Sequence, residues 1–214
     1  MRIQGISGSR GVAVGNVYRY IQEEIVIPDY TVAEDKVEEE IGKFAAAMAA
    51  TLKQLDTIRQ KALDEMGPEE AAIFEAHMQI AQDPSLSDGI KSLVESGHTN
   101  VVAATAQTIE TFANIFLGME DPYMRERGAD IKDIGDRLMR NMLGMNPRGL
   151  SHISGEVILV AQDLAPSDTA SLDKNVVKGI VTAAGGPTSH AAIMARTLEI
   201  PAVMGVGDIE SFVD

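Results

Sequence analysis

A chain of 214 residues with 45% hydrophobic and 23% charged residues has room for one large domain or two smaller ones, each with its own core. The lack of cysteine excludes disulfides, thiolate metal sites and cysteine nucleophiles, and a formal charge of -14 argues against nucleic acid and favours a basic partner. No run of about 18 apolar residues exists to span a bilayer, and Met1-Arg2-Ile3-Gln4-Gly5 lacks a secretory core, so no membrane association and a cytoplasmic location are expected.

Residues 3 to 20 mix Ile3, Ile6, Val12, Val14 and Val17 with Gly5, Gly8, Gly11 and Gly15, which predicts short strands separated by turns. An apolar run at 24–28 leads to Thr31-Val32-Ala33-Glu34, whose spacing is that of a capping box and predicts a helix start. From Val37, apolar residues recur in steps of three and four through Ile41, Phe44, Met48, Leu52, Leu55, Ile58, Ala62 and Met66, one stripe along a long helix. Gly67-Pro68 ends it and opens a second helix with an acidic first turn. Asp83-Pro84 breaks that helix, Ser85 is placed to cap a third up to Glu95, and Gly97 closes it. A fourth helix is expected from near Asn100 to Leu117. A fifth begins at Asp121-Pro122 and carries Met124, Ile131, Ile134, Leu138 and Met142 on one stripe until Gly144.

After Asn146-Pro147-Arg148-Gly149 the composition changes. Residues 156–160 read as a buried strand, 165–170 as a turn entering a short helix, and 176–181 and 202–204 as strands on either side of another helix. The expected fold class is therefore α/β plus all-α. A discontinuous α/β domain covers 1–30 with 147–214, and an antiparallel helical bundle covering 31–146 is inserted in it.

The candidate centre is Gly185-Gly186-Pro187-Thr188-Ser189-His190. A strand at Gly179-Ile180-Val181 meets two glycines that let the backbone turn sharply, and Thr188 is expected to cap a helix running from Ser189 to Ile200-Pro201. His190 then lies in a first helical turn, where unpaired N–H groups and the positive end of the dipole favour phosphate and disfavour a protonated ring. A neutral imidazole keeps a lone pair, can attack phosphorus, and can hold the phosphoryl group beside the amides and the Thr188 and Ser189 hydroxyls. The same spacing fits a histidine that merely caps a strand-to-helix turn, and spacing alone leaves both readings open.

The run from Gly185 to Arg196, followed by Leu198-Glu199-Ile200-Pro201-Ala202-Val203-Met204-Gly205, closely resembles the phosphohistidine signature of enzymes that move phosphate to or from phosphoenolpyruvate. Within that group the likeness is to enzyme I of the bacterial phosphotransferase system. It extends in order through the glycine-rich opening, the run from Asp130 to Leu138, the strand at 156–160 and the turn Pro166-Ser167-Asp168-Thr169. The resemblance implies a swivelling phosphohistidine α/β domain in which His190 is phosphorylated on Nε2 and Thr169 hydrogen-bonds the unphosphorylated ring. Thr169 as a plain helix cap fits its position equally well. Gly185 and Gly186 would be backbone enablers. The family usually has Arg where Pro187 stands, so a positive charge next to the acceptor is missing. Arg196, more than a turn beyond His190, reads as a dipole partner or surface charge pointing away from it.

The partner so implied is HPr, a small histidine-containing phosphocarrier received by the helical part. There Glu69, Glu70, Phe74, His77 and Met78, with Met124 and Arg127 at the start of the last helix, are candidate docking residues. The spacing also fits Phe74 and Met78 as bundle core with the glutamates on a solvated face. Many relatives have a basic residue where Glu70 stands, while His98 and His152 fall in loops and receive no role. Phosphoenolpyruvate binding, Mg²⁺ and dimerisation belong in the family to a C-terminal barrel that these residues do not include. No metal or cofactor is expected on this chain, a monomer is expected, and the family's histidine domain continues past Asp214. Two other readings stand: a docking module with a vestigial His190, and the histidine domain of a phosphoenolpyruvate synthase or pyruvate phosphate dikinase relative.

Overall fold

The computed structural model describes residues 2–21, 23–146, 150, 153, 155–170, 172–207 and 209, with the backbone alone at 122, 123 and 126; His152 and residues 210–214 lie outside the described residues. In chain order, β1 (Ile6–Ser9) and β2 (Asn16–Tyr20) are followed by α1 (Val37–Glu65), α2 (Pro68–Ala81), α3 (Pro84–Glu95), α4 (Val101–Leu117) and α5 (Pro122–Met142). Then come β3 (Val157–Ala161), α6 (Pro166–Thr169), β4 (Val177–Thr182), α7 (His190–Thr197) and β5 (Ala202–Met204).

Two compact units result: Met1–Glu23, Asp64–Glu70 and Arg148–Asp214 form one, and Glu24–Leu63 with Ala71–Pro147 form the other. Among the described residues the boundaries differ from the sequence reading in two places. Residues 24–30 go with the helices, because the Asn100 amide donates to the carbonyls of Pro28 (2.8 Å) and Tyr30 (3.2 Å) and the Tyr30 hydroxyl donates to Glu40 (3.0 Å). The turn between α1 and α2 goes with the α/β unit, where Met66 packs on the core and the Thr197 hydroxyl donates to Glu70 Oε1 at 2.7 Å.

In the α/β unit a five-stranded sheet has the order β1-β5-β4-β3-β2, parallel except for β1 against β5. Adjacent parallel strands need a crossover connection, and between β2 and β3 the entire run α1 to α5 fills that role. Branched runs bury most of β3 and β4, with Ile158, Lys178 and Val181 half-buried; Leu159, Val177 and Ile180 pack against Ala192, Ala195 and Leu198 of the last helix region and against Ile200 and Met204. α7 stops through backbone chemistry that its sequence announces only in part. Glu199 adopts φ of 58°, the Glu199 amide donates to Arg196 O (3.1 Å) and the Ile200 amide to Ala195 O (2.8 Å), before Pro201.

In the helical unit the predicted helices all form, but two start signals act differently. The capping box at Thr31 and Glu34 does not form: Thr31 bridges Thr99, the Val32 amide donates to His98 O (2.7 Å), and Glu34–Lys36 makes one 3-10 turn with no side-chain cap. A long-range backbone pairing outcompetes the local one. The cap of α3 is Asp83 rather than Ser85, its carboxylate accepting the Ser85 amide at 2.8 Å with Pro84 in the first helical position. Among the described residues no helix is long and apolar enough to cross a membrane.

Candidate functional site

The site grows from the carboxyl ends of β3 and β4, the edge of a parallel sheet where connecting loops are free to hold ligands. The two loops that leave there are tied together, the Ala183 amide to Ala161 O (3.0 Å) and the Ala184 amide to Gln162 O (2.9 Å). Buried Thr182 adds a hydroxyl bond to Ala184 O at 2.6 Å. Gly185 then turns the chain at φ of 89°, where a Cβ would stand 3.2 Å from Ser189 Oγ. Gly186 shows no positive φ and nothing within 4 Å of an added Cβ, so only the first of the two glycines is required by backbone geometry. Gly185→Ala is therefore expected to cost about 1–3 kcal/mol in urea unfolding, and Gly186→Ala less than about 1 kcal/mol. Equal losses would remove the distinction.

Ser189, not Thr188, caps α7. Its backbone is extended (φ −64°, ψ 153°), its hydroxyl accepts the Ala192 amide at 3.3 Å and donates to Gly186 O at 2.9 Å. Thr188 is exposed and makes no hydrogen bond among the described residues. His190 takes the first helical position, half-buried, with no hydrogen bond or ion pair to its ring among the described residues. The backbone amides of His190 and Ala191 are likewise unpaired among the described residues. A nucleophilic ring, two open N–H donors and the positive end of a helix dipole thus share one helix start, a combination that suits a dianion carried on nitrogen.

Thr169 ends α6, which packs against α7, but its hydroxyl donates to Pro166 O (2.8 Å) and approaches Ala165 O (3.3 Å), with no bond to His190. The fully buried Thr169 satisfies its own helix in this arrangement. Beside it stands a residue that the sequence reading passes over. Asp168 is fully buried, and its carboxylate accepts the Ala165 amide (3.1 Å) and the Tyr20 hydroxyl (2.7 Å), tying β2 to the turn before α6. Its position in the first turn after Pro166 was the available signal, since an acidic side chain there can reach back to an orphan amide.

The candidate docking residues separate. Phe74 and His77 are each 0% exposed and belong to the bundle interior, which corrects their reading as partner contacts. His77 Nε2 lies 3.1 Å from Asp130 Oδ1 and Nδ1 3.8 Å from Asp133 Oδ2, with Phe74 edge-on to the ring at 5.7 Å. Their own spacing, with Ala81 one turn on, is a core stripe. Met78 is half-buried. Exposed Glu69 and half-buried Glu70 fall in the α/β unit, apart from the others. Met124 and Arg127 do meet, lining a cleft of about 370 Å³ in the helical unit with Ile80, Leu86, Phe112 and Phe116. Arg127 also reaches Asp130 Oδ2 at 3.3 Å. Among the described residues no group of three or more His, Cys, Asp or Glu side chains is arranged to hold a metal ion.

An α/β unit that presents a histidine at the head of a helix, interrupted between two parallel strands by a helical unit, defines the class as a histidine-presenting domain with a helical insertion. The chain belongs to the PEP-utilising enzymes: residues 4–127 match the family of their N-terminal part and residues 153–214 that of their mobile domain. The phosphoenolpyruvate-protein phosphotransferase of Streptococcus equinus is 43% identical over 210 residues, and that of Listeria monocytogenes 40% identical over 211. These alignments cover 98% and 99% of this chain but only 36% of each relative, so the chain corresponds to one part of those proteins. An NMR structure of an Enzyme I protein matches with a TM-score of 0.82 and 41% identity over 100% of this chain and 86% of that one. The N-terminal domain of Enzyme 1 Nitrogen matches at 0.64 and 26% identity, over 95% and 83%. The resemblance to enzyme I read from the residues is thereby borne out.

Proposed function

We propose that this chain is the phosphohistidine and carrier-docking region of a phosphoenolpyruvate-protein phosphotransferase of bacterial sugar uptake, acting in the cytoplasm. The observation that supports it is the His190 ring at the first position of α7 beside the unpaired amides of His190 and Ala191. In the complete protein the phosphoryl group would come from phosphoenolpyruvate and pass through His190 to a histidine of HPr. Each transfer is a displacement at phosphorus: an imidazole lone pair forms the new N–P bond while the bond to the donor breaks and its electrons leave with the donor group. The open amides and the dipole stabilise the charge on the transferring oxygens without reorganising. Phosphoenolpyruvate binding, Mg²⁺ and dimer formation are assigned to the remainder of the longer protein, so this chain alone is expected not to phosphorylate itself from phosphoenolpyruvate.

Docking of HPr is assigned to the apolar cleft of the helical unit, where Met124 offers an adaptable apolar surface and Arg127 a cation at its side. Arg127→Ala is expected to weaken HPr binding about tenfold in calorimetry, equivalent to about 1.4 kcal/mol. Unchanged affinity would move the docking site elsewhere. The function itself is tested by mixing the chain with phosphorylated HPr and following its mass: one added phosphoryl group that is acid-labile and maps to His190 is expected. HPr binding with no transfer would leave a docking module alone.

A further inference from the structure

α7 ends in a cation that turns back on its own start. The helical period predicts that Arg196 points away from His190. In the structure its Nη1 donates to two carbonyls, Gly8 O in β1 at 2.8 Å and Pro187 O ahead of the α7 cap at 2.9 Å. Both are carbonyls that regular structure leaves over. The β1–β5 register slips between Ser7 and Ser9, so Gly8 sits at a bulge, outside the ladder. Its place is held by packing, because a Cβ there would come within 2.8 Å of the Met204 side chain.

Pro187 matters for a different reason. In a helix each amide donates to the carbonyl four residues earlier, so the natural acceptor for the Ala191 amide is Pro187 O and that for the His190 amide is Gly186 O. Neither bond is present: Ser189 is extended (ψ 153°) and ends the helical path ahead of His190, and both carbonyls turn to other donors. Gly186 O receives the Ser189 amide at 3.1 Å and the Ser189 hydroxyl at 2.9 Å, and Pro187 O receives Arg196. Proline is well suited to a first helical position, so this chain carries a residue that would readily let α7 grow backward by a turn and consume those amides.

We infer that Arg196 is a positioning residue that keeps the anion cradle open: by holding Pro187 O against β1 it prevents α7 from extending and leaves the Ala191 amide free for the phosphoryl group on His190. The inference rests on His190 being the acceptor. It assigns Arg196 no contact with phosphate, and its effect passes entirely through the backbone of the loop before the cap.

The test uses Arg196→Met, which keeps the aliphatic stem and removes the donors, and Arg196→Lys, which keeps a donor able to reach both carbonyls. Hydrogen exchange of the Ala191 amide, read by NMR on the chain without partner, is expected to slow about tenfold or more in Arg196→Met, since the amide becomes hydrogen-bonded. A merely structural loss would speed exchange along α7 instead. Phosphoryl acceptance from phosphorylated HPr at saturating donor is expected to fall about a hundredfold, with the donor concentration for half-maximal rate unchanged, and Arg196→Lys to recover most of it. Ala191 exchange that is unchanged or faster in Arg196→Met, or acceptance at the wild-type rate, would overturn the inference. If the unaltered chain takes no phosphate, the reading of His190 fails, while the exchange measurement still decides whether Arg196 holds the loop.

Discussion

Replacing His190 by alanine is expected to abolish phosphoryl acceptance from phosphorylated HPr, a loss of at least about 10⁴-fold, the scale on which catalysis fails when a covalent nucleophile is removed. The fold should be nearly indifferent to the change. The ring is half-buried, it makes no hydrogen bond or ion pair among the described residues, and α7 keeps its Ser189 cap. A thermal midpoint within a few degrees of the original, about what 1 kcal/mol or less produces, is the expected control. Ser189→Ala provides the contrast: the nucleophile remains, the cap is lost, and stability should fall by about 1 kcal/mol with a smaller loss of transfer. Phosphate that still appears on the His190→Ala chain would show that the acceptor has been misassigned.

The second large effect lies in the helical unit and concerns folding. Glu40 is 3% exposed on α1, and its carboxylate accepts the Val101 amide at the start of α4 (2.8 Å), the Tyr30 hydroxyl (3.0 Å) and the Lys43 ammonium (2.6 Å). One side chain thus satisfies an orphan amide of a distant helix and anchors the segment that enters the bundle. Glu40→Ala is expected to cost about 3–5 kcal/mol in urea unfolding, because it leaves those donors without their buried partner. Burial by itself works to raise the Glu40 carboxyl pKa, but the bonds from Lys43, the Val101 amide and Tyr30 outweigh it and hold the value below the ordinary range. A carboxyl so lowered adds stability above its unfolded pKa of about 4.3, and that stability disappears as the pH falls through the lower folded value. Acid should therefore narrow the gap between the original chain and Glu40→Gln, and a stability difference that widens on acidification would refute the assignment.

Much of this is legible residue by residue. The stripe from Val37 to Met66, the Gly67-Pro68 break and Asn100 before its helix are local signals, and α1, α2 and α4 follow them closely. Helix periodicity and capping depend on neighbours within a turn, so a sequence carries them openly. The same holds for the acceptor: a strand, a positive-φ glycine, a cap and a histidine in the first turn are all chain neighbours, and only the identity of the cap shifts, from Thr188 to Ser189. His77 was legible too, since it shares the buried stripe of Phe74 and Ala81, but its chemistry suggested a surface role that packing overrules.

What the sequence by itself determines is thus the kind and order of the elements and the placement of His190 at a helix start. The tertiary structure alone decides which distant groups meet. It sets β2 beside β3 across the helical insertion, turns Thr31 from a helix cap into a partner of Thr99, carries Glu40 to the start of α4, and brings Arg196 to Gly8 and Pro187. The physical reason is common to all four. A polar group that loses water must find a partner, and when the local chain offers several acceptors of similar strength, the choice falls to whichever one the packed core brings within reach.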